Sequence, residues 1–437
     1  MEPVGSDVSL PLTQVPLSPL TASTKRTPLR SSRIEVSQHR QARKALRIAP
    51  KSRGFTVVLG LFAALPALSI DLSAPTLPLL PDALGTSRAV AGLTLSLFMV
   101  GFAVGQLGGG SLSDGQGRRP ALLSGLAGFT VAGVSCALAV SGSTLAFSRL
   151  IQGFCAGVCS VVAFAMVQDL FEGDTARAKR SYVTMIFTAV PILAPALGSV
   201  LTDRFGWRSV HAILAVGGAL LLVVTWFGVA ESRFPQLDNV PPIADRATVR
   251  LWSDSSFVCI TLANALSYGC IFAYIAGSPV IIIGQMGLPS TVFAGVFACT
   301  AIALAAGAWT SGRLSRRGTG VAVLLDISLV VAAGAAVALA VVSLSGIVAG
   351  AIVVPLLMVV LFTRGIIAPN MQHLAIERQR ERAGVASAAI GVSQLLSGAA
   401  ASAVVAVLLP LLGTGAVTYP MAVLATAALL PWRWTRR

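Results

Sequence analysis

The sequence predicts an all-α membrane protein, with twelve transmembrane helices arranged as two pseudo-symmetric six-helix bundles. Three observations predict it. The 437 residues are 55% hydrophobic and 11% charged, where a soluble domain carries about 25% charge. Twelve apolar runs approach the roughly 20 residues a helix needs to cross the hydrocarbon core. They fall at 54–74, 89–109, 119–140, 145–168, 181–201, 209–230, 256–282, 291–311, 320–342, 346–368, 384–408 and 413–432. The third observation is that cations crowd alternate connections between these runs.

The net charge is +15, and its placement argues for a bilayer and against nucleic acid. Of 32 Lys and Arg, ten precede Gly54. Seventeen more occupy alternate connections and the C-terminal tail, as in Arg118/Arg119, Arg177/Lys179/Arg180, Arg313/Arg316/Arg317 and Arg433/Arg436/Arg437. The opposite connections hold only Arg88, Arg204 and Arg208, and Arg149 and Arg364 lie within apolar runs. Positive charge concentrates on the cytoplasmic side of membrane proteins. The expectation is a multi-pass protein of the plasma (bacterial inner) membrane with both termini cytoplasmic.

The polar segments divide the chain. Residues 1–53 are basic and rich in Ser, Thr and Pro, so a disordered cytoplasmic tail is expected, its cations near anionic lipid headgroups. They lack the apolar core of a signal peptide, and an over-extended start is the other reading. A bundle over 54–230, a cytoplasmic linker over 231–254, a bundle over 255–432 and a basic tail over 433–437 follow. The halves echo each other: Gly110-x-Leu112-Ser113 returns as Gly312-x-Leu314-Ser315, and Ala74-Pro75 as Ser278-Pro279. Such repeats suit alternating access, with the substrate site between the halves near mid-membrane.

Six cysteines lie in apolar runs and three histidines are scattered. No metal site or resident cofactor is expected, and no nucleophile triad or phosphate loop supports an enzyme. The cysteines read as small packing residues.

The stretch Gly110-Ser111-Leu112-Ser113-Asp114-Gly115-Gln116-Gly117-Arg118-Arg119-Pro120 reads as an aqueous hairpin between two spans. It resembles the loop between spans two and three of major facilitator transporters, with Gly115 where that family usually has Arg. The resemblance implies a conformational latch of Gly110, Asp114, Gly117, Arg118, Arg119 and Asp169. Asp114 is expected to accept from backbone amides at a helix N-terminus. Arg118 and Arg119 are expected to pair with carboxylates such as Asp169 or Glu172.

Charged groups at membrane depth are functional candidates by default. Asp71, late in span one, is the expected proton carrier, and Arg149 in span four, close enough to approach it, the modulator. The competing readings are an interfacial helix cap for Asp71 and a snorkelling residue for Arg149. Asp326 in span nine ranks below, as a partner for Arg313, Arg316 or Arg317. Arg364 in span ten is deep, a charge that favours anionic or neutral substrates over cationic ones. In span five, Pro191 and Pro195 share a helix face and Gly198 permits close packing. This resembles the antiporter element of exporters, with a merely kinked helix as the alternative.

Further stretches narrow the resemblance to the bicyclomycin/chloramphenicol-resistance (Bcr/CflA) exporters. They are Phe98-Met99-Val100-Gly101-Phe102-Ala103-Val104-Gly105-Gln106-Leu107, Gln168-Asp169-Leu170-Phe171, Phe205-Gly206-Trp207-Arg208, Phe272–Pro279 and Ala383–Ala388. The resemblance implies proton-driven efflux of small, mostly apolar drugs through one central cavity, by a protein working as a monomer. Polar and aromatic residues in apolar spans are the candidate drug contacts: Gln106, Asn264, Tyr268, Tyr274, Asn370 and Gln394. Each serves equally well as an interhelical hydrogen-bonding residue. An uptake symporter for a sugar or organic acid is the alternative on the same fold. A sensor working through its basic tail is a second one, separated by whether removal of residues 2–50 spares activity.

Overall fold

A computed structural model describes residues 48–50, 52–232, 251–345, 350–379 and 383–435. The expected disordered tail before residue 48 and most of the 231–254 linker lie outside the described residues. Twelve helices are long and apolar enough to cross a bilayer. Spans one to six are Arg53–Leu84, Arg88–Gln116, Arg118–Ala137, Gly142–Leu170, Gly173–Phe205 and Trp207–Gly228. Spans seven to twelve are Ser255–Gln285, Ser290–Arg316, Val321–Leu344, Gly350–Arg378, Gly384–Leu412 and Gly415–Trp434.

One packing scheme serves both halves. In the first, spans two and four, one and five, three and four, and three and six are neighbours. In the second, eight pairs with ten, seven with eleven, nine with ten, and nine with twelve. The closest crossings are built on glycine. A Cβ on Gly105 would overlap the Phe154 carbonyl oxygen, and Gly157 sits against Phe102 and Gly105. The second bundle repeats this with Gly307 against the Phe362 carbonyl and Gly365 against Leu304 and Gly307. Small residues let membrane helices approach until backbone meets backbone.

Two connections are shorter than the hairpins the sequence suggests. The Gly110–Pro120 stretch is not an aqueous loop: span two stays helical to Gln116 and span three starts at Arg118. Gly117 alone joins them, at φ +98°, a value only glycine adopts without strain. Gly206, at φ +76°, joins spans five and six in the same way. Asp114 therefore stands in the last turn of a helix. Span five also extends beyond the expected 181–201, reaching back to Gly173 on the face that carries the basic connections.

The bundles meet towards the face opposite the basic connections. Spans two and eleven run antiparallel with their backbones close, as a Cβ on Gly92 would lie 2.5 Å from Ala406 and one on Gly398 2.5 Å from Met99. Further along the same seam Gly391 faces Gln106. Ser199 Oγ of span five donates to the Ser290 carbonyl of span eight at 3.2 Å, and Ser290 Oγ donates to the Asp203 carboxylate. Thr188 lies 11 residues before Ser199, three turns down the same side of the helix. It lines, with Arg180, Ser181, Thr184 and Ile192, a wide-open cleft whose lining residues all belong to span five.

Candidate functional site

Asp71 is buried near the C-terminal end of the regular α-helix of span one, which runs Arg53–Ser73 before tightening to a 3₁₀ turn over Ala74–Leu79. Pro75 and Pro78 account for the change, since neither supplies a backbone N–H. Span seven changes geometry at the corresponding Pro279, passing into a π-helical turn over Val280–Gln285. Gly198 of span five lies directly against the Leu72 carbonyl, next in the chain to Asp71. The Pro191–Gly198 element thus bears on the segment that presents the carboxylate. Across the bundle boundary, the 3₁₀ turn that follows Asp71 packs against span seven, with Pro78 beside Gly284.

Arg149 reaches span one but does not pair with Asp71. Its Nη2 donates to the Ser69 carbonyl and to Ser73 Oγ, both at 3.2 Å, and Nη1 donates to Gln152 Oε1 at 2.9 Å. The guanidinium also lies over the Phe98 ring, 4.2 Å from its centroid, an attraction that strengthens on desolvation. Ser69 and Ser73 share one side of span one, whereas Asp71 is turned about 200° away from Ser69. The expected approach of the two charges is replaced by a clamp that fastens span four to the back of the helix presenting Asp71.

The charged cluster at the basic face is compact. Arg118 Nε donates to Asp169 at 2.8 Å, Nη1 pairs with Asp114 at 2.7 Å and also donates to Ser113 Oγ at 2.6 Å. The backbone amides opening span three go to Glu231, not Asp114: Arg118 N–H at 2.7 Å and Arg119 N–H at 3.0 Å. Arg119 is directed elsewhere than Asp169 or Glu172: its Nη2 donates to the Trp226 carbonyl at 2.8 Å. Its guanidinium lies 5.8 Å from the Trp226 ring centre. Every one of these partners belongs to spans two, three, four and six, or to the segment just after span six. Gly110 packs against nothing outside its own helix, and Gly117 leaves the space that Glu231 fills. Glu231→Gln, which weakens a charged cap at a helix N-terminus, is expected to cost about 1–2 kcal/mol, read as a lower melting temperature of the purified protein.

The expected drug contacts separate into two groups. Asn370 Nδ2 donates to Ser311 Oγ and to the Ile366 carbonyl, each at 2.7 Å, which ties span ten to span eight. Tyr274 lies 3.1 Å from Thr300 Oγ1 and stacks on Phe297. Gln106 stands on the seam with span eleven, and Gln394 shares a helix side with Gly391 and Gly398 on that seam. Asn264 and Tyr268 do converge, on Arg364. Its Nη1 donates to Asn264 Oδ1 at 2.7 Å, and the guanidinium lies 5.6 Å from the Tyr268 ring centre. Asp326 accepts from Trp432 Nε1 at 2.6 Å, tying span nine to span twelve.

Glu231 and the second glycine crossing are the features that the sequence reading did not single out. The glycines have a legible signal, since the Gly101/Gly105 and Gly153/Gly157 spacings are standard close-packing patterns. Among the described residues, no three His, Cys, Asp or Glu side chains converge as metal ligands. Cys155 and Cys159 fill the spaces over Gly128 and Gly125.

Comparison with known proteins adds to this geometry. The family described as Major Facilitator Superfamily matches residues 58–402. An uncharacterized MFS-type transporter of Bacillus subtilis, YdgK, is 29% identical over 80% of this chain and 88% of its own length. A chloramphenicol resistance protein of Pseudomonas aeruginosa is 30% identical over 59% of this chain. A multidrug resistance protein, MdtL of Escherichia coli O45:K1, is 32% identical over 53%. The chain spans 61% and 59% of the length of those last two. Among solved structures, a bacterial homolog of the lysosomal transporter Spinster, inward-facing and occupied, is similar with TM-score 0.70 at 14% identity. That match covers 89% of this chain and 96% of the homolog. A D-xylose–proton symporter is similar with TM-score 0.69 at 16% identity, covering 87% of this chain and 97% of its own. At such identities the structural likeness speaks for the fold alone.

Proposed function

This chain belongs to the Major Facilitator Superfamily, a multi-pass membrane transporter and not an enzyme, and from that premise we propose that it expels drug-like small molecules in exchange for protons. The observation that carries the reading is Asp71: a buried carboxylate at the boundary of the two bundles, with no cation against it among the described residues. A charge at that depth is costly, so a proton that comes and goes there couples naturally to conformation. The names of the Pseudomonas and Escherichia relatives support drug efflux over sugar or organic-acid uptake.

In this mechanism the cleft along Thr184 and Thr188 loads substrate from the cytoplasm. The bundles then rock about the seams of spans two with eleven and five with eight. Opening outward breaks the Ser199–Ser290 and Ser290–Asp203 contacts and exposes Asp71 to the outer side, where a proton replaces the substrate. The basic face is cytoplasmic in this reading, the membrane is the bacterial inner membrane, and the protein works as a monomer with the proton gradient and no resident cofactor.

The test is collapse of a preset pH gradient in everted vesicles containing the protein, on addition of chloramphenicol, bicyclomycin or a cationic dye. Proton release on addition of one of them is expected. No response to any, with counterflow of a sugar or organic acid instead, overturns the exporter reading.

A further inference from the structure

Two arginines are buried within the spans, and the fold treats them differently. Arg149 is surrounded by Gln152 Oε1, the Ser69 carbonyl, Ser73 Oγ and the Phe98 face. Arg364 makes one hydrogen bond, from Nη1 to Asn264 Oδ1. Its remaining neighbour of note is the Tyr268 ring, and no carboxylate pairs with it among the described residues. Its exposure is 4%, that of Asn264 is 1%, and Asn264 Nδ2 is itself without a partner. A guanidinium offers five N–H donors in a rigid fork. Burying it with a single acceptor is unfavourable unless something else supplies the rest.

The internal repeat excludes a purely architectural origin. Gly365 forms the second-half copy of the crossing made by Gly157, so Arg364 corresponds to Ala156, a buried alanine. The same packing is achieved in the first half without a charge. The cluster also borders the boundary between bundles, since Gly398 of span eleven lies against both Phe272 of span seven and Met99 of span two. Tyr268 packs on Phe272, which in turn lies against Gly398 of span eleven.

We propose that Arg364, with Asn264 Nδ2, is the acceptor-binding pole of the transport site, and that it takes the carboxylate or nitro group of a neutral or singly anionic substrate. With Nη1 held by Asn264, the Nε–Nη2 edge is the one left for a planar two-oxygen group, which Arg binds bidentately. The assignment rests on the transporter reading above and adds which molecules that transporter takes.

The test uses the full-length protein, purified and reconstituted, with binding of chloramphenicol, 4-nitrobenzoate and ethidium measured by ligand-induced thermal shift and by tryptophan fluorescence. Arg364→Met is expected to weaken the two nitro compounds about 10- to 100-fold, the range for hydrogen bonds to a charged group. Ethidium, which the guanidinium repels, is expected to bind the variant more tightly. The unliganded variant is expected to melt at the same temperature or higher, because an unpaired buried charge has been removed; an architectural arginine would lower it. Asn264→Asp, which places a carboxylate on Arg364 from within, is a second route to the same loss and retains the buried polar pair. Unchanged nitro-compound affinity in both variants overturns the proposal while leaving export intact. A wild-type protein that binds none of the three compounds overturns the exporter reading itself.

Discussion

Asp71→Asn is expected to reduce substrate-driven proton movement to the level of vesicles lacking the protein, with substrate binding retained. The substitution keeps size and hydrogen-bonding capacity and removes only the ability to exchange a proton. Asp71 sits where three elements converge. Span one changes from α-helix to 3₁₀ turn just beyond it, span five places Gly198 against the Leu72 carbonyl, and span seven packs on that turn with Gly284 beside Pro78. Rocking of the bundles moves all three relative to one another, so access to the carboxylate changes with conformation. A structural cap would behave otherwise: Asn would serve nearly as well, and coupling would survive. Measuring pH-gradient collapse alongside chloramphenicol binding in the same preparation separates the two cases.

The largest stability effect is expected at Gly307→Leu. Span eight touches span ten through backbone at this point, and any side chain there meets the Phe362 carbonyl oxygen, with Gly365 beside it. Overpacking of this kind costs about 1–3 kcal/mol and more when backbone must shift. Because the obstacle is a main-chain carbonyl in a continuous helix, the upper end is expected. The result would be a melting temperature lowered well beyond that of Gly334→Leu in span nine, where an added Cβ meets nothing within 4 Å. Equal melting temperatures for the two variants would contradict close backbone packing between spans eight and ten.

How much of this is legible without coordinates depends on the range of the interaction. Span number follows from apolar length alone, since a bilayer imposes one dimension on every helix. The Arg118–Asp169 pair is anticipated because both residues end neighbouring spans on the same face. Glu231 is not, because its role requires span six to end beside the start of span three, and nothing local marks that approach. The Asp71–Arg149 encounter fails for an angular reason: two residues along a helix reverse the direction a side chain takes. Asn264 and Tyr268 were selected as polar residues in apolar surroundings, and what unites them, Arg364, lies 100 residues from Asn264. Asn370 and Tyr274 met the same criterion and instead join helices within their bundle.

The seam between spans two and eleven has one further consequence. Its contacts are made by glycine, alanine, methionine and glutamine residues, and among the described residues it is crossed by the weak Ser402 Oγ to Met99 Sδ approach of 3.9 Å. Smooth surfaces without directional bonds behave as a bearing: rotation trades one set of dispersion contacts for a similar set, with no notch at any angle. Friction against switching then comes from the rim, where Ser290 holds Ser199 and Asp203, so the pace of the cycle is governed by a few hydroxyls at one edge and hardly at all by the long axle about which the halves turn.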